Sequence, residues 1–496
     1  MGAGKTSAAR AAAAALGAQA VDSDHVLEQR LGSSIEEYFA SHGERAFRAA
    51  EEEVVGEMLE RPPSPVISLG GGAITSERIR SQLDGHTVVL LDVDEETAWR
   101  RAGGRRPLAR DRPRFGALLA ERAPLYDSLA DAVLTDSSRE VVRRAVPALR
   151  ALAGAPDHTK LLWATAASGE YPVFVGDGLI GSGFRALAGD GHLVTDANVG
   201  ALYGDVVDAV SRTAIEPGET AKHLGTVGTV LEALAEAGLD HDGHVLALGG
   251  GVVGDLAGFC AAVYQRGVRV VQIPTTLVAQ VDSAYGGKTG VDLPQGKNYA
   301  GVYHQPAAVL ADPRALRSLP EAELAAGWAE VIKTALIAGG PLWKRVRSHA
   351  VEVDRDLVLA CARTKLAVVA ADERDAGARQ SLNLGHTVGH AIETATGYAR
   401  YRHGEAVGLG LLAALTLSAQ PALREEVAEL LTARGLPTRL DPAIDPADVV
   451  AATARDKKRR GGRVGFALVE APGDVRTGMA VSPDDLRAAV AELERS

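Results

Sequence analysis

Three side chains that lie far apart in the chain supply a carboxylate and two imidazoles: Glu330 in AGWAEVIKTAL, His386 in LNLGHTVGHAIE and His403 in YRHGEAVG. That donor set suits an open catalytic zinc centre, which keeps a coordination position for substrate oxygens. His386 and His390 stand four apart, so on a helix their rings share a face and by spacing alone look like a ligand pair. Arg379, Asn383, His386 and His390 step by four, three and four. This spacing predicts one helical stripe carrying a cation, an amide and two imidazoles. Glu330 and Lys333, three apart, also share a face, which puts an ammonium beside the carboxylate.

Two further segments read as phosphate chemistry. ALGGGVVGD at 247 to 255 follows an apolar strand and precedes a helical stretch. Glycines there let backbone approach a pyrophosphate, although the spacing is not GxGxxG and a plain tight turn fits it too. TDANV places Asp196 and Asn198 after a strand, where an acid can accept ribose hydroxyls, and IPTTLVAQVDSAYGGKTGVD adds Thr275, Thr276 and Lys288. At the start of the chain, MGAGKT reads as the end of a phosphate loop. Backbone N–H groups at Gly2 and Gly4, together with Lys5, would hold polyphosphate while the Thr6 hydroxyl reaches magnesium. VDSDH, FRAAE, SLGGGA, GRRPL and ERAPLY follow it, supplying Asp24, Arg48, Gly71, Arg106 and Arg122.

These residues need α/β scaffolds. Residues 1 to 153 alternate Ala-rich helical stretches with short apolar runs such as Pro65 to Leu69 and Thr87 to Asp92, the pattern of a parallel sheet. The unperiodic 154 to 160 reads as a linker, 161 to 311 as a second α/β domain, and 312 to 496 as a mainly helical domain closing over it. At 496 residues, with 46% hydrophobic and 24% charged, the chain has material for two or three ordinary cores. A net charge of -11 argues against a general nucleic-acid surface. Two cysteines, Cys260 and Cys361, make no disulfide framework, so a reducing cytoplasm is expected. There is no apolar run of about 20 residues and no secretory layout at the start, so the chain reads as neither membrane-spanning nor exported.

In motif order, residues 1 to 150 resemble shikimate kinase. The resemblance implies that Gly2, Gly4, Lys5 and Thr6 serve ATP and Mg2+, and that Asp24, Arg48, Gly71 and Arg122 hold shikimate. Asp24 would also orient or deprotonate the attacking hydroxyl, with Arg106 on a lid over ATP. The family carries a strand and a further glycine ahead of this loop, so the resemblance puts the true start upstream of Met1.

Residues 160 to 490 closely resemble 3-dehydroquinate synthase: TDxNV, ExxK at 219 to 222, GGGVVGD, PTTLVAQVDS, GGKTG, GKN, AEVIK, LNLGHTVGHAIE and HGEAV recur in order. The resemblance implies NAD binding by Asp196, Asn198, Glu219, Lys222, Gly250, Gly251, Asp255, Thr275, Thr276 and Lys297. It assigns zinc, or cobalt, to Glu330, His386 and His403, and leaves His390 for acid-base work with Asp375, where the family usually has Glu. Asp282, Lys288, Asn298, Lys333, Lys365, Arg379 and Asn383 would line a pocket for 3-deoxy-arabino-heptulosonate 7-phosphate, completed by Lys457 or Lys458. Arg266 would reach the site of a second subunit in a homodimer. The alternatives are a related cyclase acting on sedoheptulose 7-phosphate and an NAD- and metal-dependent alcohol dehydrogenase.

Overall fold

Val245, Leu246, Ala247 and Leu248 form an unbroken apolar run, the mark of a strand covered on both faces, and all four are buried in a parallel sheet. A computed structural model describes residues 2–102, 111–187, 189–348, 351–455 and 465–494. Contacts divide the chain into two units, Met1–Ala164 and Thr165–Ser496.

In the first unit the strands are β1 (Val21–Asp22), β2 (Ile67–Ser68), β3 (Val89–Leu91), β4 (Ala132–Leu134) and β5 (Lys160–Ala166). They form two parallel ladders, β1 with β2 and β3–β4–β5, and no described strand joins the two. The segment expected to end as a linker at 160 gives way at Lys160 to β5, whose Leu162 pairs with Val133 of β4. Helix Lys5–Ala15 starts directly from Gly4, whose φ of 85° is left-handed, and packs its alanine face inward. Helix Ile35–Glu60 opens on a capping box between Ser34 and Glu37.

The second unit is built on β6 (Gly169–Val175), β7 (Gly191–Asp196), β8 (Ser211–Ile215), β9 (His244–Gly249) and β10 (Arg269–Pro274). A hairpin follows, β11 (Lys288–Leu293) and β12 (Gly296–Tyr303), and then β13 (Ala308–Ala311). The sheet order within this unit is β6-β13-β10-β9-β7-β8, all parallel. Parallel strands end together, so Asp196, Gly249 and Pro274, which close β7, β9 and β10, bring the polar segments behind them to one edge.

Beyond β13 the chain is mainly helical, with helices Glu321–Ala338, Arg355–Ala371, His386–Ala395 and His403–Leu417 among others, and a late hairpin, Gly465–Ala471 with Asp474–Ala480. The continuous stripe expected from Arg379 to His390 is not formed. Arg379 and Asn383 lie in a short 3-10 turn, Ala378–Asn383, and the helix begins only at His386. Gly385 between them has φ 76°, which breaks the helical path. Two close backbone approaches then fix the helices. A methyl at Gly410 would collide with the carbonyl oxygen of Gly385, and one at Gly404 with that of Ala326.

Gly410→Ala should therefore destabilise the second unit by about 1–3 kcal/mol through overpacking, read as a lowered urea midpoint by tryptophan fluorescence. Gly228→Ala, in helix Leu224–Glu236 where a methyl meets open space, should instead raise stability by about 0.4–1 kcal/mol.

Candidate active site

The carboxyl-terminal edge of the sheet and the helices His386–Ala395 and His403–Leu417 wall a cleft of about 1330 Å3 in the second unit. Helix Glu321–Ala338 is buried along most of its length, and the Glu330 carboxylate on it is fully buried. Lys333 Nζ stands 2.5 Å from Glu330 Oε2, while His386 Nε2 and His403 Nε2 each lie 3.4 Å from Oε1. Apart from such ion pairs, neither Glu330 oxygen has a hydrogen-bond partner among the described residues. Donor atoms of Glu330, His386 and His403 lie within 4.8 Å of one another. His386 Nδ1 is 3.2 Å from the Leu384 carbonyl oxygen, which can only accept. The ring proton therefore sits on Nδ1, and the Nε2 lone pair faces Glu330. A buried carboxylate whose Oε1 meets only two imidazoles turned toward it fits a divalent cation.

The electrostatics agree with that fit. Burial alone would raise the Glu330 carboxyl, but Lys333, His386 and His403 outweigh it and hold it well below the usual carboxylate range. Burial, against the pull of Glu330, keeps His386 neutral. Burial also lowers His403, yet Glu330 and Glu393 win and push it up to about 10, so a proton stands where a cation could neutralise the same acids. Asp282 extends the network, with its Oδ1 3.6 Å from Lys333 Nζ and 2.9 Å from Lys365 Nζ. Lys365 also donates to the Asp282 carbonyl at 2.5 Å. The two buried ammonium groups diverge. Burial is offset for Lys333 by Asp282 and Glu330, which raise it, whereas burial together with Lys333 lowers Lys365 despite Asp282.

Gly250 leads from β9 into helix Gly251–Val263, whose first turn lines the same cleft, the end of a helix that suits an anion. Asp196 caps helix Ala197–Tyr203 by accepting from Asn198 N and Val199 N, both at 2.9 Å. Lys222 Nζ pairs with Asp255 at 2.6 Å and lies 3.8 Å from Glu219. Thr275 Oγ1 is buried without a hydrogen-bond partner among the described residues, and Thr276 Oγ1 accepts from Ala279 N at 3.2 Å.

Lys288 pairs with Asp375 at 2.8 Å. The buried Arg379 guanidinium is held by the carbonyls of Glu373 and Gly286, at 2.6 and 2.9 Å. Asn298, Asn383 and His390 also line the cleft. Arg266 does not, for it stands exposed on a turn after helix Gly251–Val263 with φ 71°. Lys457 and Lys458 lie outside the described residues.

Sequence reasoning passed over Glu393. It is buried and stands 3.2 Å from Lys297 and 3.5 Å from His403 Nδ1, with its carboxyl at about 2: burial is outweighed by His403 and Lys297. Its place three residues after His390 on one helix was the available signal.

The first unit assembles a second constellation. Thr6 Oγ1 donates to Asp22 at 2.7 Å, and Gly2 and Gly4 both have left-handed φ. The Gly70–Gly72 turn leaves no room for side chains against Asp24, Glu51 and Arg48. Arg48 pairs with Glu51 at 2.5 Å, and the Gly71 carbonyl accepts from Arg122 and from Tyr126. Asp22, Glu51 and Tyr126 had not been singled out, and Arg106 lies outside the described residues.

Comparison with known proteins follows the same division. Residues 1–150 match the family model for shikimate kinase, 212–326 that for the 3-dehydroquinate synthase N-terminal part and 327–459 that for its C-terminal part. A 3-dehydroquinate synthase of Symbiobacterium thermophilum is 42% identical over 353 residues, 66% of this chain and 98% of that protein. Its counterpart in Halorhodospira halophila is 44% identical over 331 residues, 63% of this chain and 93% of that protein. Among solved structures, the 2-epi-5-epi-valiolone synthase of Streptomyces hygroscopicus with NAD+ and Zn2+ bound has TM-score 0.60 and 28% identity, covering 65% of this chain and 96% of that one. A 2-deoxy-scyllo-inosose synthase complexed with NAD+ and Co2+ shares the fold at TM-score 0.58 and 22% identity, covering 67% and 99%.

Asp282→Asn should leave the buried Lys365 ammonium without its carboxylate, while Lys333 keeps Glu330, and cost about 3–5 kcal/mol, measured by urea unfolding. Adding Lys365→Met should recover part of that loss, because it removes the cation left without its partner.

Proposed function

The chain belongs to the 3-dehydroquinate synthase family and carries a shikimate kinase region at its N-terminus, and from that membership we propose a division of labour between its two units. The second unit cyclises 3-deoxy-arabino-heptulosonate 7-phosphate to 3-dehydroquinate with loss of phosphate. The first phosphorylates shikimate with ATP and Mg2+. The observation that carries the synthase reading is the convergence of Glu330, His386 and His403 beside the glycine turn at Gly250.

In this reading Glu330, His386 and His403 hold zinc or cobalt, and Asp196, Asn198, Glu219, Lys222, Gly250, Gly251, Asp255, Thr275, Thr276 and Lys297 hold NAD. When bound, the metal polarises substrate oxygens, and the dinucleotide takes and returns one hydride without net redox change. The remaining steps fall to side chains. Lys288, Lys333 and Asn298 meet the acidic ends of the substrate, and Lys365, Arg379 and Asn383 favour one that bears a carboxylate. Arg379 suits that task because two carbonyls hold its fork in place. His390, with its ring centroid 5.3 Å from that of His386 and 5.9 Å from that of His403, moves protons at the reacting centre, with Asp375 as its partner in acid-base work. Asp282 keeps Lys333 and Lys365 directed at the substrate.

Arg266 is exposed and outside its own cleft, which supports its serving the neighbouring site of a homodimer. The unpaired buried cysteines Cys260 and Cys361 support a cytoplasmic location. Among the described residues no helix is long and apolar enough to cross a membrane.

In the kinase unit, Thr6 takes magnesium and Gly2, Gly4 and Lys5 take the phosphates of ATP, a reading that the approach of Asp22 to Thr6 supports. Asp24 takes the proton of the attacking hydroxyl, and Arg48, Gly71 and Arg122 hold the shikimate ring and carboxylate. Arg106, outside the described residues, is assigned to ATP by the family resemblance alone.

The likeness to the valiolone synthase supports one second reading, a related cyclase with another substrate, for which sedoheptulose 7-phosphate is the candidate. Assays with both sugar phosphates decide. The expected result is phosphate release from the heptulosonate phosphate without sustained NADH accumulation, falling to background in His386→Ala. Turnover of the sedoheptulose compound alone overturns the assignment, and steady NADH accumulation points to a dehydrogenase. Separately, ATP turnover with shikimate should fall about 100- to 10,000-fold in Asp24→Asn, the usual contribution of a general base.

A further inference from the structure

His403 lies between two carboxylates, with Nε2 3.4 Å from Glu330 Oε1 and Nδ1 3.5 Å from Glu393 Oε1. The two imidazoles at this centre are therefore oriented differently. His386 turns its Nδ1 to a neutral carbonyl, that of Leu384, whereas His403 turns its Nδ1 to a charged acid. A carboxylate on Nδ1 fixes the ring proton there, leaves the Nε2 lone pair free and makes it a stronger donor. The same Glu393 oxygen lies 3.2 Å from Lys297 Nζ, while Oε2 is buried without a partner among the described residues. Lys297 belongs to β12, rests its ammonium 4.7 Å over the Tyr398 ring and lies 3.7 Å from Glu219. One buried oxygen thus joins the metal side of the cleft to the hairpin on its other wall.

We propose that Glu393 is the positioning residue of the metal centre: its Oε1 sets the tautomer and orientation of His403 and tethers Lys297. In this reading Glu393 is not itself a ligand, although its oxygen also lies near donor atoms of His390 and His403. Its effect passes through the ring it orients and the lysine it holds. This rests on the reading that Glu330, His386 and His403 hold a divalent cation.

The test is metal affinity in the full chain, measured by chelator competition with zinc and by the d–d absorption spectrum with cobalt, with far-UV circular dichroism as a check on folding. Glu393→Gln keeps the shape and removes the charge. It should weaken zinc binding about 10- to 100-fold and shift the cobalt spectrum, with circular dichroism unchanged. Glu393→Asp, which keeps the charge but shortens the reach, should fall between Gln and wild type. A folded Glu393→Gln protein with wild-type zinc affinity and an unaltered cobalt spectrum overturns the proposal. If Glu393→Gln folds only when zinc is in excess, the proposal stands. If it folds neither with zinc nor without, Glu393 serves the fold and the proposal fails. Wild-type protein that binds no zinc would instead sink the metal reading itself.

Discussion

A carboxylate withdrawn from water as fully as Glu330 loses several kcal/mol of solvation, and Lys333 at 2.5 Å carries an equal debt of its own. Neither charge is stable in isolation, so each recruits a further partner. Lys333 leans to Asp282, Asp282 to Lys365, and Glu330 to His386 and His403. Local charge balance at this depth is what specifies the cleft. Helix Glu321–Ala338 supplies the first pair, Arg355–Ala371 supplies Lys365, and the turn Ala279–Ser283 supplies Asp282. Those three elements must pack where their charges can meet.

The α/β half answers a different demand. Parallel strands end at a common edge, and the backbone beyond β7, β9 and β10 leaves polar groups that no strand can satisfy. Gly250 lets helix Gly251–Val263 start at once, so its N-terminal dipole faces the space that the helical half fills with cations. The cleft is thus favourable to anions from both walls while holding acids at its floor. An acidic sugar phosphate beside a dinucleotide matches that distribution, and a neutral polyol would not need it.

Much of this was legible in the chain, and the rest was not for definite reasons. The Glu330–Lys333 contact follows from helical periodicity alone, because three residues is a local distance. His386 and His390 share a face as their spacing requires, yet His403 enters from another helix, which no spacing can announce. The stripe from Arg379 failed because periodicity was extended through Gly385, where left-handed backbone redirects the chain. Glu393 was missed because an acid on a helix usually faces water. Its burial depends on Lys297, 96 residues away. In the first unit, β2 and β3 lie within the apolar runs taken as strands but are shorter than those runs, and the acids flanking the glycine turn show their role only once Gly70–Gly72 folds against them.

Where Gly410 meets Gly385, main chain rests on main chain, and no rotamer is available to absorb a shift. The two helices that begin with His386 and His403 are consequently held close at this crossing, with no side chain between them. The hairpin β11–β12 across the cleft is fastened by side chains instead, Lys288 to Asp375 and Lys297 to Glu393. One wall of the cleft is thus joined backbone to backbone and the other through ion pairs, a difference that hydrogen in place of a side chain at Gly410 makes possible.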